Sequence, residues 1–275
     1  MDSTIAFIGG GNMAASLVGG LLAASTPASN LLVAEPDRAR GRQLEHQFGI
    51  RTETSNSAAL DADVVILAVK PQLLQRVCRE LATHFGERSP LFISIAAGVR
   101  SGDIERWLGG NRAVVRCMPN TPALLQCGAT ALSANSHVSA AQKLLAEQIL
   151  QAVGTTLWVA DEDQLDAVTA VSGSGPAYFF LLMEAMQAAG EQLGLSADNA
   201  RALTLQTALG AARMASESDV DSAALRARVT SKGGTTEQAI LSFENAGFRQ
   251  IVQHALDAAC TQSRHLANEL GKDSA

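Results

Sequence analysis

The residues with the clearest chemical use stand near the start of the chain. Ile5-Ala6-Phe7-Ile8-Gly9-Gly10-Gly11-Asn12-Met13-Ala14 sets a G-x-G-x-x-A pattern directly after an apolar run and at the start of a helical one. Each position has a physical task. Gly9 permits a tight turn, Gly11 lets backbone approach a pyrophosphate, and Ala14 is small enough for helix to pack on strand. The free N–H groups of the helix start then face the phosphates. Dinucleotide binding is therefore the expectation, against the plainer reading of a glycine turn in an unrelated α/β protein. Glu35, at the end of a second apolar run, stands where a carboxylate accepts bonds from a free ribose 2′-hydroxyl. Arg38, Arg40 and Arg42 follow at once and could hold a 2′-phosphate, or simply form a solvated helix face. Two further small-residue turns, Ala68-Val69-Lys70-Pro71 and Ala96-Ala97-Gly98, close strand-like runs where open α/β sheets bind ligands. Their small side chains suit a flat nicotinamide. Lys70 is given a structural or phosphate-proximal role rather than a catalytic one.

Other chemistries are poorly supplied. The four cysteines, Cys78, Cys117, Cys127 and Cys260, form no C-x-x-C pair, and the five histidines lack metal-ligand spacing. A reduced, cytoplasmic protein without a metal site is expected. The net charge of −6 and an aromatic content of 4% argue against nucleic-acid binding. No apolar run approaches the ~18 residues of a membrane span, and Asp2 and the glycines spoil a signal-peptide reading of the N-terminal segment.

The elements that must position these turns follow from hydrophobic period. Strands are expected at Thr4–Gly9, Leu31–Glu35, Asp63–Val69, Leu91–Ala96, Ala113–Met118, Ala129–Ser133 and Thr155–Ala160, with helical windows at 11–24, 37–48, 72–85, 101–108 and 139–152. Such alternation implies βαβ units and a mostly parallel, doubly wound sheet of the Rossmann type. Beyond residue 162 the strand signal stops. Leu165 to Leu193, Ala197 to Ala215, Ser222 to Val229, Thr236 to Asn245 and Phe248 to Leu270 read as helices, with breaks at Gly173/Gly175/Pro176, Gly194, Asp219, Gly233-Gly234 and Gly247 and with Ser196 and Thr235 as N-caps. The expected organisation is thus 1–162 as a cofactor-binding domain and 163–275 as an all-helical one. Only 17% of the 275 residues are charged, where about 25% is usual. The deficit concentrates in 167–212, whose charged residues are Glu184, Glu191, Asp198 and Arg201 alone. Helices apolar nearly all round must be buried, and a partner subunit is the natural cover.

Three later segments are dense in turn and hydroxyl residues: Arg116-Cys117-Met118-Pro119-Asn120-Thr121-Pro122-Ala123, Ser172-Gly173-Ser174-Gly175-Pro176-Ala177-Tyr178, and Val229-Thr230-Ser231-Lys232-Gly233-Gly234-Thr235-Thr236-Glu237. With the N-terminal G-G-G-N-M-A they resemble the pyrroline-5-carboxylate reductases from Ile5 to about Leu270. The resemblance implies NADPH-dependent reduction of (S)-1-pyrroline-5-carboxylate to L-proline, the last step of proline biosynthesis. It implies a Rossmann domain, a C-terminal helical dimerisation domain, and an active site shared by two subunits. A higher oligomer of dimers stays open. Carried onto this chain, it places the cofactor on Ile8, Gly9, Gly10, Gly11, Asn12 and Met13, near Glu35 and Asn56. It continues along Ala68, Val69, Lys70 and Pro71, and at Ala96, Ala97 and Gly98. The substrate falls at Ser231, Gly233, Gly234, Thr235 and Thr236, with Ser231 and the Thr235 and Thr236 N–H groups on its carboxylate and the Thr236 hydroxyl facing the ring nitrogen. Two positions depart from the family's pattern: Glu35 replaces a small or hydroxyl residue, which leaves NADH use open, and Lys232 replaces a proline.

The residues agree with this chemistry. A Gly-Gly pair leading into a helix is a nest of donors for a small carboxylate. A protonated cyclic imine is already electrophilic, so positioning supplies most of the rate. No lysine or histidine occurs between Lys143 and Lys232. That gap also argues against a β-hydroxyacid dehydrogenase, which needs a lysine on the first helix of its helical domain, here Ala177 to Leu193. A non-catalytic NAD(P) sensor would need no substrate turn, so the intact Ser231–Thr236 segment argues against it too.

Overall fold

Four consecutive strands with no exposed residue set the architecture. In the computed structural model, which describes residues 2–86 and 89–272, β1 (Ile5–Ile8), β2 (Leu31–Ala34), β4 (Val64–Leu67) and β5 (Leu91–Ser94) are buried throughout. Short β3 (Arg51–Glu53) lies outside β2, and β6 (Val114–Met118), β7 (Gly128–Ala134) and β8 (Gly154–Trp158) extend the other side. The order is β3-β2-β1-β4-β5-β6-β7-β8, and the first six strands are all parallel. Parallel strands need covering on both faces, and the sequence supplies it. Ile5 and Phe7 enter one apolar cluster with Leu17, Val33, Ile66 and Ile149; Ala6 and Ile8 enter the other with Leu67, Leu74, Phe92 and Trp107. Each fully buried Leu, Ile or Phe contributes about 1.5–3 kcal/mol.

The helices that cover the sheet begin and end on local chemistry. They are α1 (Asn12–Ala23), α2 (Arg38–Phe48), α3 (Pro71–Ala82), α4 (Ser101–Trp107) and α5 (Ala140–Gln151). Asp37 caps α2 by accepting the Ala39 N–H at 2.8 Å, and Gly49, left-handed at φ 67°, ends it. Pro71 opens α3, and Ser139 with Gln142 forms a capping box on α5.

Two features escape the periodic reading. β3 has two exposed residues out of three and no apolar alternation, so nothing announced it. β7 runs antiparallel to β6, with Met118 opposite Ala131, because the connection through the 3-10 turn Thr121–Leu125 is too short for a parallel crossover.

The remaining helices are α6 (Gln164–Val168), α7 (Gly175–Gln192), α8 (Ala197–Ser216), α9 (Ser222–Arg228), α10 (Thr235–Asn245) and α11 (Phe248–Leu270). A π-helical turn, Thr169–Gly173, separates α6 from α7 and ends where the glycines predicted a break. Ser196 caps α8 through the Asn199 N–H at 3.3 Å. The expected cap at Thr235 is corrected: Gly234 is the capping position and Thr235 the first helical residue, because Gly234 holds the extended backbone (ψ 171°).

The compact units are Met1–Ser174 with Ala258–Ala275, and Gly175–Asp257. This division departs from the expected boundary at 162, whose outer ends, Met1 and 273–275, lie outside the described residues. Residues 163–174 stay with the sheet because Leu165 and Asp166 are buried, and Ser263 of α11 donates its hydroxyl to Asp166 at 2.6 Å. In the second unit, α7 leaves Phe179, Phe180 and Leu181 about two-thirds exposed, at 65%, 64% and 66%. Among the described residues no helix is long and apolar enough to cross a membrane. Removing Ile66, central in the sheet and wholly buried, tests the core. Ile66→Ala is expected to lower unfolding stability by about 2–5 kcal/mol in denaturant titration.

Candidate functional site

The sheet changes direction of growth between β1 and β4, and there the turns of interest meet. β2 and β3 lie to one side of β1 and β4 to the other, the switch that opens a crevice at the carboxyl ends of the strands. Backbone bonds carry the ladder past the strand ends. Gly9 N–H donates to Ala34 O at 2.8 Å, Ala68 N–H to Ile8 O at 2.9 Å, Ile95 N–H to Leu67 O at 3.3 Å, and Glu35 N–H to Glu53 O at 2.8 Å. Gly9 has φ 97°, and a Cβ on it would come within 2.8 Å of the Ala68 carbonyl oxygen. Only glycine allows that approach.

The crevice has the small residues and free helix N–H groups that dinucleotide binding requires. Gly11 is exposed, and a Cβ built on it meets nothing within 4 Å. It precedes α1 without any side-chain cap, so the first N–H groups of the helix, at Asn12 and Met13, stay available to phosphate. Ile8 and Gly10 are buried beneath the turn, and Ala14 is 1% exposed, as a helix packed closely on a strand requires. Lys70 is exposed at the N-cap of α3, with Val69 and Pro71 half-buried beside it. Ala96 is buried and Ala97 exposed; at Gly98 (φ 74°) a Cβ would touch Leu270 Cδ1 of α11 at 3.3 Å. The structure thus sets these turns side by side along one sheet edge. Asn56, following β3 at the same edge, directs its amide to Glu80, with Nδ2–Oε distances of 3.4 and 3.5 Å.

Glu35 and Arg40 have backbone duties that their spacing did not announce. Glu35 Oε2 accepts the Gly10 N–H at 2.8 Å and Oε1 accepts the Asp37 N–H at 3.0 Å. Arg40 Nε donates to the Gly10 carbonyl at 2.8 Å. Arg38 and Arg42 remain exposed around a hollow of about 200 Å³ shared with Glu35, Glu45, Thr52 and Glu53.

The second-unit turn is shaped by its own residues. Gly233 is left-handed at φ 72°, and a Cβ on Gly234 would run into Ser231 Oγ. Gly234 N–H donates to Ser231 O at 3.0 Å, and Gly233 N–H donates to Glu237 Oε2 at 2.7 Å. No side chain caps α10, so the N–H groups of Thr235 and Thr236 stay free at the positive end of the helix. Ser231, Lys232 and Thr235 are exposed and Thr236 is half-buried. The N–H donors proposed for a carboxylate are thus those of Thr235 and Thr236, while Gly233 already has its own acceptor.

The other hydroxyl-rich segments hold the first unit together. Asn120 accepts the Ala129 N–H at 2.9 Å and donates to Ser172 O at 3.1 Å, tying the Pro119–Pro122 segment to the π-turn. Glu162 accepts the Ser101 N–H at 2.7 Å and hydroxyl at 2.6 Å, and pairs with buried Arg116 at 3.2 Å. No sequence signal pointed to Glu162. Burial pushes the Cys78 thiol up to about 12; it also raises that of Cys117, which Arg116 opposes only in part. Neither forms a thiolate near neutrality, so neither fits nucleophilic chemistry.

The fold and the sheet-edge turns define a Rossmann-type oxidoreductase that uses NAD(P)H, and residues 4–98 match the family model for NADP oxidoreductases, coenzyme F420-dependent. The second half is more particular, since residues 162–266 match the model for pyrroline-5-carboxylate reductase dimerisation. A pyrroline-5-carboxylate reductase from Pseudomonas aeruginosa is 56% identical over 98% of both chains. A solved pyrroline-5-carboxylate reductase from Coxiella burnetii superposes with a TM-score of 0.93 at 47% identity, over 97% of this chain and 99% of that one. The Plasmodium falciparum enzyme, solved with NADP bound, gives 0.84 at 29% identity, over 97% and 98%. The chain belongs to the pyrroline-5-carboxylate reductase family.

Two glycines separate cofactor space from folding. Gly11→Val, entering open space, should raise the Kd for NAD(P)H at least tenfold with little change in Tm. Gly9→Ala, strained at φ 97° against Ala68, should lose about 1–3 kcal/mol of stability as well. Titration of reduced-nicotinamide fluorescence and thermal melts separate the two. Thiol labelling of native protein near neutral pH is expected to find exposed Cys127 fast and buried Cys78 and Cys117 only on unfolding.

Proposed function

We infer that this chain catalyses the NAD(P)H-dependent reduction of (S)-1-pyrroline-5-carboxylate to L-proline. Identity of 56% with a pyrroline-5-carboxylate reductase over 98% of the chain carries that reading. NAD(P)H, when bound, supplies the hydride that adds to the carbon of the protonated C=N bond, leaving a ring amine.

The chain's own residues bind and orient. The Gly9–Met13 turn holds the pyrophosphate, Glu35 and Asn56 lie toward the adenosine end, and Ala68–Pro71 with Ala96–Gly98 line the nicotinamide. On the substrate side, the free N–H groups of Thr235 and Thr236 and the Ser231 hydroxyl take the carboxylate, helped by about half a positive charge at the start of α10. The Thr236 hydroxyl holds the ring nitrogen, and exposed Lys232 adds positive potential. No side chain need deliver a proton before hydride transfer if the imine arrives protonated. Orientation, with donor and acceptor about 3–3.5 Å apart, then supplies most of the rate.

In functional terms 1–162 binds cofactor and 163–275 binds substrate and pairs subunits. A homodimer would cover the exposed aromatic and leucine side chains of α7, whose burial is worth about 25 cal/mol per Å². A higher oligomer built of such dimers is the finer form of this proposal. Four free cysteines support a cytoplasmic setting, where thiols stay reduced.

Purified protein should oxidise NADPH, and NADH to a lesser or equal degree, only when pyrroline-5-carboxylate is added; no turnover with either cofactor overturns the assignment. Thr236→Ala should lower kcat/KM for the imine by about 10- to 100-fold, in the range of a lost hydrogen bond to a charged group, with cofactor Kd unchanged. A defect confined to cofactor binding would remove Thr236 from the substrate. Light scattering should find no monomer at micromolar concentration.

A further inference from the structure

Gly10 is gripped through the two peptide groups that flank its Cα by the segment that follows β2. Its N–H donates to Glu35 Oε2 at 2.8 Å and its carbonyl accepts from Arg40 Nε at 2.8 Å. Both jaws are themselves fixed. The second oxygen of Glu35 accepts the Asp37 N–H at 3.0 Å, and Arg40 Nη1 donates to Gln43 Oε1 at 2.8 Å. Asp37 in turn caps the helix that carries Arg40. Gly10 has no room to shift toward α2, since a Cβ on it would come within 2.7 Å of Leu44 Cδ1 and 3.2 Å of Glu35 Oε2.

We propose that Arg40 is a positioning residue for the dinucleotide, acting through the Gly10 carbonyl on NADPH and NADH alike, and not a reader of the 2′-phosphate. The proposal rests on the reading that the Gly9–Met13 turn holds the cofactor's pyrophosphate. A glycine-rich turn is intrinsically loose, because glycine has more backbone freedom to lose than any other residue. Holding the N–H and the carbonyl of its middle glycine, on the two peptides that flank that Cα, fixes where the next N–H groups, at the start of α1, point. That ordering would otherwise be a cost of every binding event. Arg40 is also poorly placed to read phosphate. A guanidinium grips a phosphate best with two N–H groups on one edge, and the Nε–H of Arg40 is already engaged by Gly10. Its neighbours Arg38 and Arg42 are exposed around the hollow beside Glu35, so they are the natural comparison.

The test is a set of cofactor titrations by reduced-nicotinamide fluorescence, which need no turnover, paired with steady-state kinetics. Arg40→Met is expected to raise Kd and KM for NADPH and for NADH by the same factor, about 5- to 20-fold, with kcat within about twofold and the NADPH-to-NADH ratio unchanged. Arg40→Lys, which can still donate to the Gly10 carbonyl, should recover part of the loss for both. A loss confined to NADPH would make Arg40 a phosphate reader and overturn the proposal, and so would unchanged Kd for both cofactors. Arg38→Ala and Arg42→Ala serve as controls for a ratio change. If Arg40→Met does not fold, Arg40→Lys carries the same comparison, with a smaller loss of equal factor expected for both cofactors. Should the protein bind cofactor but fail to reduce the imine, the titrations still decide the role of Arg40, and only the reductase reading falls.

Discussion

The need of a parallel sheet for cover on both faces governs this chain. Once β1, β2, β4 and β5 are committed to continuous apolar runs, helices must cross above and below, and every crossover leaves the sheet at the same edge. The backbone groups just beyond the strands cannot be left unpaired there. They bond to the neighbouring strand's end, which is why the turns after Ile8, Ala34, Leu67 and Ser94 sit abreast. A crevice at the strand ends is the consequence of burying the sheet, with glycine and alanine at the places where backbone meets backbone.

The second unit obeys a different constraint. Its helices are charge-poor and their large side chains remain at the surface of the single chain, so their stability depends on what covers them rather than on their own interior. The Ser231–Thr236 turn is correspondingly local. Gly233, Gly234, Ser231 and Glu237 shape it within seven residues, through bonds that depend on no distant contact. It is a device that any well-formed start of α10 would present.

Much of this was legible in the residues. The strands came from apolar runs, the glycine turn from spacing, and the break before α7 from Gly173, Gly175 and Pro176, because period and turn chemistry are local properties. What stayed hidden was partnership. Arg51–Glu53 pairs with β2 although its side chains face water, so nothing apolar marked it. Glu35 looked like a candidate for the ribose and Arg40 for a 2′-phosphate, and one glycine far away in sequence, Gly10, holds both. Glu237, which only closed the Val229–Glu237 segment in the sequence, holds the Gly233 N–H. The boundary at 162 marked where strand patterning stops, whereas the compact unit continues to Ser174 because Asp166 is buried against Ser263.

That last contact gives the chain an order of assembly. Residues 258–272 return to the sheet unit after the whole second unit has been made, and Leu270 lies against Gly98, in one of the turns at the sheet-edge crevice. A growing chain on the ribosome therefore has all eight strands in hand well before it has the helix end that closes over that turn. The sheet's hydrophobic cover is finished by residues made after the whole second unit, and the sheet-edge crevice reaches its final form only after most of the segment that matches the dimerisation model already exists.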